Sequence, residues 1–307
     1  MTITQVGFIG LGNMGSPMAA HLVDAGFALT VSDAAAGVTE RFVAAHPTAI
    51  AAAGPRSFAT VQALILMLPT SEIVEDVLER EKVAAALPPG CLVIDMSSSE
   101  PLRTRTLAAR LQARGLSMLD APVSGGVRGA RAARLSVLVG GSQDDLTRAT
   151  PVLNAMAATI IRVGDIGSGH AAKALNNLVS AATMSITVEA LVLAEAFGIS
   201  PGVMTKVLNS SSGRSNTSEN KLAQFMISGS FDSGFSLQLM AKDVGLAVAL
   251  ARALDRRVEV ADHVADQWRR IAAEVSPATD HTQLYTLLGT TTPTSRASAC
   301  ASPDDDA

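Results

Sequence analysis

Cysteine is scarce. The 307 residues hold two, Cys91 and Cys300. Two thiols cannot build a disulfide framework, and neither stands at metal-ligand spacing, so a disulfide scaffold and a metal site are both excluded and a reduced, intracellular protein is expected. Aromatic residues are equally few: eight Phe, one Trp and one Tyr, 3% of the chain. Basic residues are outnumbered, 24 Lys and Arg against 28 Asp and Glu, for a net charge of −4. A chain with neither a basic excess nor stacking platforms does not fit a nucleic-acid binder. Charge is thin overall at 17%, against 48% hydrophobic residues, which excludes disorder over the bulk of the chain. Long unbroken apolar runs are missing too. The most apolar stretch, 171–199, is interrupted by Lys173, Asn176, Asn177, Glu189 and Glu195, which argues against a membrane span. No basic leader precedes the first strand-like run, so a cytoplasmic location is expected.

What is present is alternation. Short apolar runs over 5–10, 28–32, 63–68, 91–95, 117–120, 135–139 and 159–163 read as strands. Stretches with helical spacing lie between most of them, over 14–25, 71–79, 101–114 and 143–157. That order predicts an α/β domain: a doubly wound, Rossmann-like, mostly parallel sheet covered on both faces, over 1–163. The alternation stops near Gly164. Helices are then expected over 168–197, 201–209, 218–228, 236–254, 259–274 and 282–288, giving an all-α domain over 164–289 entered by one long helix. Residues 290–307, small and polar with an acidic end, read as a disordered tail carrying an exposed Cys300.

Four motifs could carry chemistry. Gly10-Leu11-Gly12-Asn13-Met14-Gly15 lies between a strand and a helix, the context a dinucleotide fingerprint requires. Gly10 permits the tight turn, Gly12 lets a pyrophosphate approach the helix start, and Gly15 lets helix and strand pack closely. A glycine-rich turn in an ordinary α/β protein is the alternative. Asp33 ends the second strand, where a carboxylate accepts hydrogen bonds from a ribose diol and repels a 2′-phosphate, favouring NAD over NADP. No Arg follows at once; Arg41, the nearest, belongs to the next helix. Ser124-Gly125-Gly126, after a strand, could form an anion-binding nest, although pattern alone favours a structural turn. Lys173 and Asn177, four apart, share a helix face just beyond the sheet domain. A lysine in an apolar segment is either buried for a purpose or snorkels to solvent. His170 reads as a helix-start residue, and Lys242-Asp243, within another apolar helix, as a solvated charge pair.

Taken together, these stretches resemble the β-hydroxyacid dehydrogenase family, whose members include 3-hydroxyisobutyrate dehydrogenase, tartronate semialdehyde reductase and L-threonate dehydrogenase. The matching pieces are GFIGLGNMGSPMA (7–19), MLP (67–69), DMSSSEP (95–101), DAPVSGG (120–126), LSVLVGG (135–141), the Gly164–Asn177 glycine-rich stretch with Lys173, SSGRSNTSENK (211–221) and SGFSLQLMAKD (233–243). They run in the family's order over nearly the whole chain.

The resemblance implies an NAD-dependent oxidoreductase acting on the hydroxyl-bearing carbon of a small 3-hydroxy acid. Lys173 would be catalytic with Asn177 beside it. Ser124, Gly125 and Gly126 would hold the substrate carboxylate. Leu68, Pro69 and Ser98 would line the cofactor, and Lys242 would close over its nicotinamide side. It also implies a homodimer or homotetramer formed through the helical domain. The chain departs from the family pattern at Ala133-Arg134, where a Gly-Thr pair is usual, which leaves the 128–134 loop and its effect on substrate shape open, and at Ser98, where Thr is common. Lys173 is kept, unlike in imine-reducing relatives, which favours alcohol or carbonyl chemistry. A non-catalytic NAD-binding regulator on the same fold is the rival reading. A second rival, decarboxylation of a phosphorylated sugar acid, fits poorly with so short a helical domain.

Overall fold

The structure is a computed structural model describing residues 2–289; the expected tail over 290–307, with Cys300, lies outside the described residues. The sheet region is built in this order: β1 (Gln5–Ile9), α1 (Gly15–Asp24), β2 (Ala28–Ser32), α2 (Val38–Ala45), β3 (Ile50–Ala51), β4 (Ala63–Leu66), α3 (Ser71–Glu75), α4 (Val83–Ala86), β5 (Leu92–Asp95), α5 (Pro101–Gln112), β6 (Ser117–Asp120), β7 (Val123–Ser124), α6 (Gly126–Arg131), β8 (Leu135–Gly140), α7 (Gln143–Asn154) and β9 (Ala157–Gly164). The helical region follows as α8 (Ser168–Phe197), α9 (Pro201–Asn209), α10 (Asn216–Asn220), α11 (Leu237–Ala253), α12 (Glu259–Ala273) and α13 (Leu284–Gly289).

The strand order is β3-β2-β1-β4-β5-β6-β8-β7, with β9 paired to the remaining side of β8. From β3 to β6 every pairing is parallel. The central strands β4 and β5 are buried along their whole length, as continuous apolar runs demand when helices cover both faces. The expected mostly parallel arrangement holds, with one interruption. Strand β8 runs antiparallel to β6 and β7, and parallel order resumes at β9. The cause is the tight Gly125-Gly126 turn and the six-residue α6, too short a connection for the crossover that a parallel neighbour needs.

Two strands escape the periodic reading, β3 and β7, each two residues long and so without a period to detect. The helix expected over 218–228 is instead α10 followed by a π-helical segment, Leu222–Ile227. The one expected over 282–288 begins with a 3₁₀ turn, His281–Gln283, before α13. Beyond Gly164 no strand forms among the described residues; only an isolated bridge joins Ser236 to Asp280.

Helix α8 holds the two regions together. Its 30 residues span roughly 45 Å at 1.5 Å per residue. It is the one described helix long and apolar enough to cross a membrane, yet twelve of its residues, including His170, Lys173 and Asn177, are buried against the protein. Its Ala181, Met184, Val188 and Leu191 form a core with Leu237, Val244 and Val248 of α11 and Trp268 of α12. It is therefore the central core helix of the helical region.

Candidate active site

Glycine geometry builds the loop between β1 and α1. Gly10 adopts φ +100°, and a Cβ there would collide with the Met67 carbonyl oxygen. A Cβ on Gly15 would collide with the Gly10 carbonyl oxygen. A Cβ on Gly12 would meet nothing within 4 Å. The two outer glycines are thus dictated by the fold, while the middle one faces open space at the start of α1. That is the cradle a pyrophosphate fits. Asp33 closes the loop: its Oδ2 accepts from Leu11 N at 2.6 Å and its Oδ1 from Ala35 N at 2.7 Å. A carboxylate has about four lone-pair directions, so acceptor capacity remains for a ribose diol. The residues present therefore fit a dinucleotide.

The start of α8 is fixed by a buried polar cluster. Asp120, fully buried at the end of β6, accepts from Gly167 N at 2.7 Å through Oδ1 and from His170 N at 2.8 Å through Oδ2. A carboxylate is favoured there because it satisfies orphan amide groups at the positive end of a helix. The approach is close: a Cβ on Gly169 would lie 2.7 Å from the Asp120 carbonyl oxygen. His170 is buried as well, its Nδ1 2.8 Å from Thr104 Oγ1 and its Nε2 3.7 Å from Asp95 Oδ2. It is a helix-start residue, as its sequence position suggests.

One turn further on is Lys173. It is buried rather than snorkelling, at 8% exposure. No hydrogen bond or ion pair among the described residues holds its ammonium. Burial pushes its pKa down; the Asp243 carboxylate opposes that, and the Lys242 charge adds to it. Asn177 Nδ2 donates to Asp243 Oδ2 at 2.6 Å. Asp243 is buried, at 2% exposure, and joins this polar cluster through Asn177. The solvated charge pair that pattern alone suggests at Lys242-Asp243 does not hold for Asp243, because Asn177, 66 residues away in sequence, takes up its carboxylate.

Lys242 is half-buried, its side chain 26% exposed. Its Nζ donates to the Pro69 carbonyl at 3.0 Å and the Ser98 carbonyl at 2.9 Å, and stands 3.3 Å from Asp243 Oδ1. It thereby bridges α11 to the carboxyl ends of β4 and β5. Leu68 N, in the first of those exits, donates to Ser97 Oγ at 2.9 Å. Ser124 pairs with Ser136 as β7 meets β8, and Gly125 and Gly126 follow with φ of +124° and +60°. Two successive positive φ values are what glycine alone adopts readily, so the turn into α6 requires this pair. Among the described residues no cluster of three His, Cys, Asp or Glu could hold a metal.

Two family models match the chain. One, described as the NAD-binding domain of 6-phosphogluconate dehydrogenase, covers residues 5–164; the other, described as the NAD-binding part of NADP-dependent 3-hydroxyisobutyrate dehydrogenase, covers 167–288. The chain is 37% identical over 291 residues to a probable 3-hydroxyisobutyrate dehydrogenase of Mycobacterium tuberculosis, spanning 93% of this chain and 98% of that protein. It is 38% identical over 256 residues to an NAD-dependent L-serine dehydrogenase of Pseudomonas aeruginosa, spanning 81% of this chain and 86% of that one. A solved structure of the M. tuberculosis 3-hydroxyisobutyrate dehydrogenase with L-serine superposes with a TM-score of 0.87 at 35% identity, over 94% of this chain and 99% of that chain.

Proposed function

The chain belongs to the β-hydroxyacid dehydrogenase family, and from that premise we propose that Lys173 is the proton-handling group of a dehydrogenase acting on a small 3-hydroxy acid, 3-hydroxyisobutyrate or a close analogue. When bound, the nicotinamide dinucleotide supplies the hydride acceptor for oxidation and the hydride donor for reduction. Gly10, Leu11, Gly12, Asn13, Met14, Gly15 and Asp33 would hold its phosphates and ribose; Leu68, Pro69, Ser98 and Lys242 would line the strand exits beside it. Ser124, Gly125 and Gly126 bind the substrate carboxylate.

In oxidation, neutral Lys173 takes the hydroxyl proton; in reduction, its ammonium returns it. Asn177, tied to Asp243, orients the substrate hydroxyl beside the amine. The observation that carries this reading is the buried Lys173, one turn into α8, whose pKa burial lowers. A lysine with a lowered pKa can serve in both directions near neutrality. The units that divide this work are the expected sheet domain over 1–163 and helical domain over 164–289.

NAD is the proposed cofactor rather than NADP, on the strength of Asp33. Arg41 tests the point, because its guanidinium lies beside Gly37, four residues after Asp33. The assembly is proposed to be a homodimer or homotetramer through the helical region, and its site cytoplasmic. Exposed Val179 and Ile186 on α8 and Val260 on α12 support the assembly, being 62%, 62% and 74% exposed.

A spectrophotometric panel decides among the substrates: 3-hydroxyisobutyrate, D-glycerate with tartronate semialdehyde, L-threonate and L-serine, each with NAD and NADP. Turnover of at least one acid with a higher kcat/KM for NAD supports the reading. No turnover across the panel leaves a nucleotide-binding regulator, and a preference for NADP that Arg41→Ala abolishes overturns the cofactor assignment.

A further inference from the structure

A second lysine lies beside the same stripe of α8: Lys221, which ends the SSGRSNTSENK stretch and has no part in the roles proposed above. Lys221 follows α10, and its Nζ donates to Ser180 Oγ at 3.3 Å. Ser180 is seven residues beyond Lys173, so it falls on the same helix face two turns on, roughly 10 Å away at 1.5 Å per residue. Lys173, Asn177 and Ser180 therefore form one polar line, with Lys221 at its far end.

The charge of Lys221 is not matched locally. Among the described residues no carboxylate makes an ion pair with it. The carboxylate that acts on it at longer range is Asp280, which is already engaged. Asp280 accepts from Ser233 Oγ, Gly234 N, Phe235 N, Thr282 N and Thr282 Oγ1. Burial would raise the Asp280 pKa, but hydrogen bonds from His281, Thr282 and Ser233 outweigh that and hold it well below the usual carboxylate range. Burial lowers the Lys221 pKa to about 8, and Asp280 only partly opposes this. A partly buried ammonium held by one hydroxyl is costly, and an incoming anion would relieve the cost.

Segments on either side of Lys221 and Asp280 pack against α6, the helix that follows the Ser124-Gly125-Gly126 turn. A Cβ on Gly234, whose amide bonds Asp280, would come within 3.9 Å of Val127, the residue after Gly126. Arg128, one residue further along α6, stacks 5.1 Å over the ring of Phe225, four residues after Lys221. Arg128, on α6, thus meets the segment that follows Lys221 and brings a second cation to it. Like charges gathered at one place are a focusing device for an anionic ligand.

We propose that Lys221, with Arg128 nearby, is the specificity-determining contact for a second negatively charged group on the substrate, so that the acid preferred at Lys173 is a close analogue of 3-hydroxyisobutyrate that carries a second carboxylate. The proposal rests on the hydroxy-acid dehydrogenase reading and narrows its substrate class.

The test compares 2-(hydroxymethyl)glutarate, a 3-hydroxy acid with a second carboxylate, with 3-hydroxyisobutyrate and L-serine on the full chain with NAD. The expected result is a kcat/KM at least tenfold higher for the dicarboxylate. Lys221→Met should collapse that ratio towards one, chiefly through KM, and Lys221→Arg should keep most of it. A ratio near one in the unaltered protein, L-serine as the best substrate, or a dicarboxylate preference that survives Lys221→Met would each overturn the proposal. Turnover of the monocarboxylate without a dicarboxylate preference sinks this inference alone; no turnover of any acid sinks the reading beneath it.

Discussion

At the residue scale the proposed chemistry rests on three side chains: Lys173, Asn177 and Asp243. Lys173→Ala should lower kcat by about 10²–10⁴-fold, the range a positioned acid–base group supplies, while fluorescence titration should find NADH affinity almost unchanged. The pH dependence has a defined sign. Burial lowers the Lys173 pKa, so oxidation should gain rate as pH rises through that lowered value and reduction should lose it. The Asp243 charge raises this pKa. Asp243→Asn removes the charge and should move the rise in oxidation rate to lower pH. Matched pH profiles of the two proteins check this, and a rise displaced to higher pH would refute the coupling. Lys173 and Asn177 were legible from spacing, because four residues bring two side chains to one helical face. Asp243 was not, because its partner Asn177 is 66 residues away in sequence.

The glycine loop and the start of α8 carry the argument at the element scale. The three loop glycines have different duties, so their variants should separate. Gly15→Ala forces a Cβ against the Gly10 carbonyl and should cost about 1–3 kcal/mol of stability, as overpacking does. Gly12→Ala meets open space, so its melting temperature should hold while cofactor Kd rises tenfold or more. Thermal melts paired with NADH titration make the distinction. Equal loss of affinity with equal loss of stability in both variants would show that Gly12 does not face the cofactor. The strand–glycine–helix order could be read directly, since period and turn chemistry are local. The π-helical segment at Leu222–Ile227 and the two-residue β3 and β7 could not. Neither departure leaves a periodic trace, and tertiary contacts set both.

At the scale of the whole molecule, Lys242 joins the helical region to two strand exits, so the proposed site draws on both halves of the chain. The exposed apolar residues of α8 need cover, and a second copy of the chain is the proposed source. Val179→Asp combined with Ile186→Asp should shift the particle mass in light scattering from dimer or tetramer to monomer, while a monomeric unaltered protein would remove the basis for that assembly. The sequence by itself determined the alternating sheet region, the helical remainder, the dinucleotide loop and the pairing of Lys173 with Asn177. Each is written in periods, turn residues or spacings within a few positions. Only the tertiary structure decided that β8 reverses direction, that Asp243 is buried against Asn177, and that Lys221 reaches the same helix face. Those outcomes depend on which distant surfaces pack together and which charges that packing strips of water, and no local pattern encodes either.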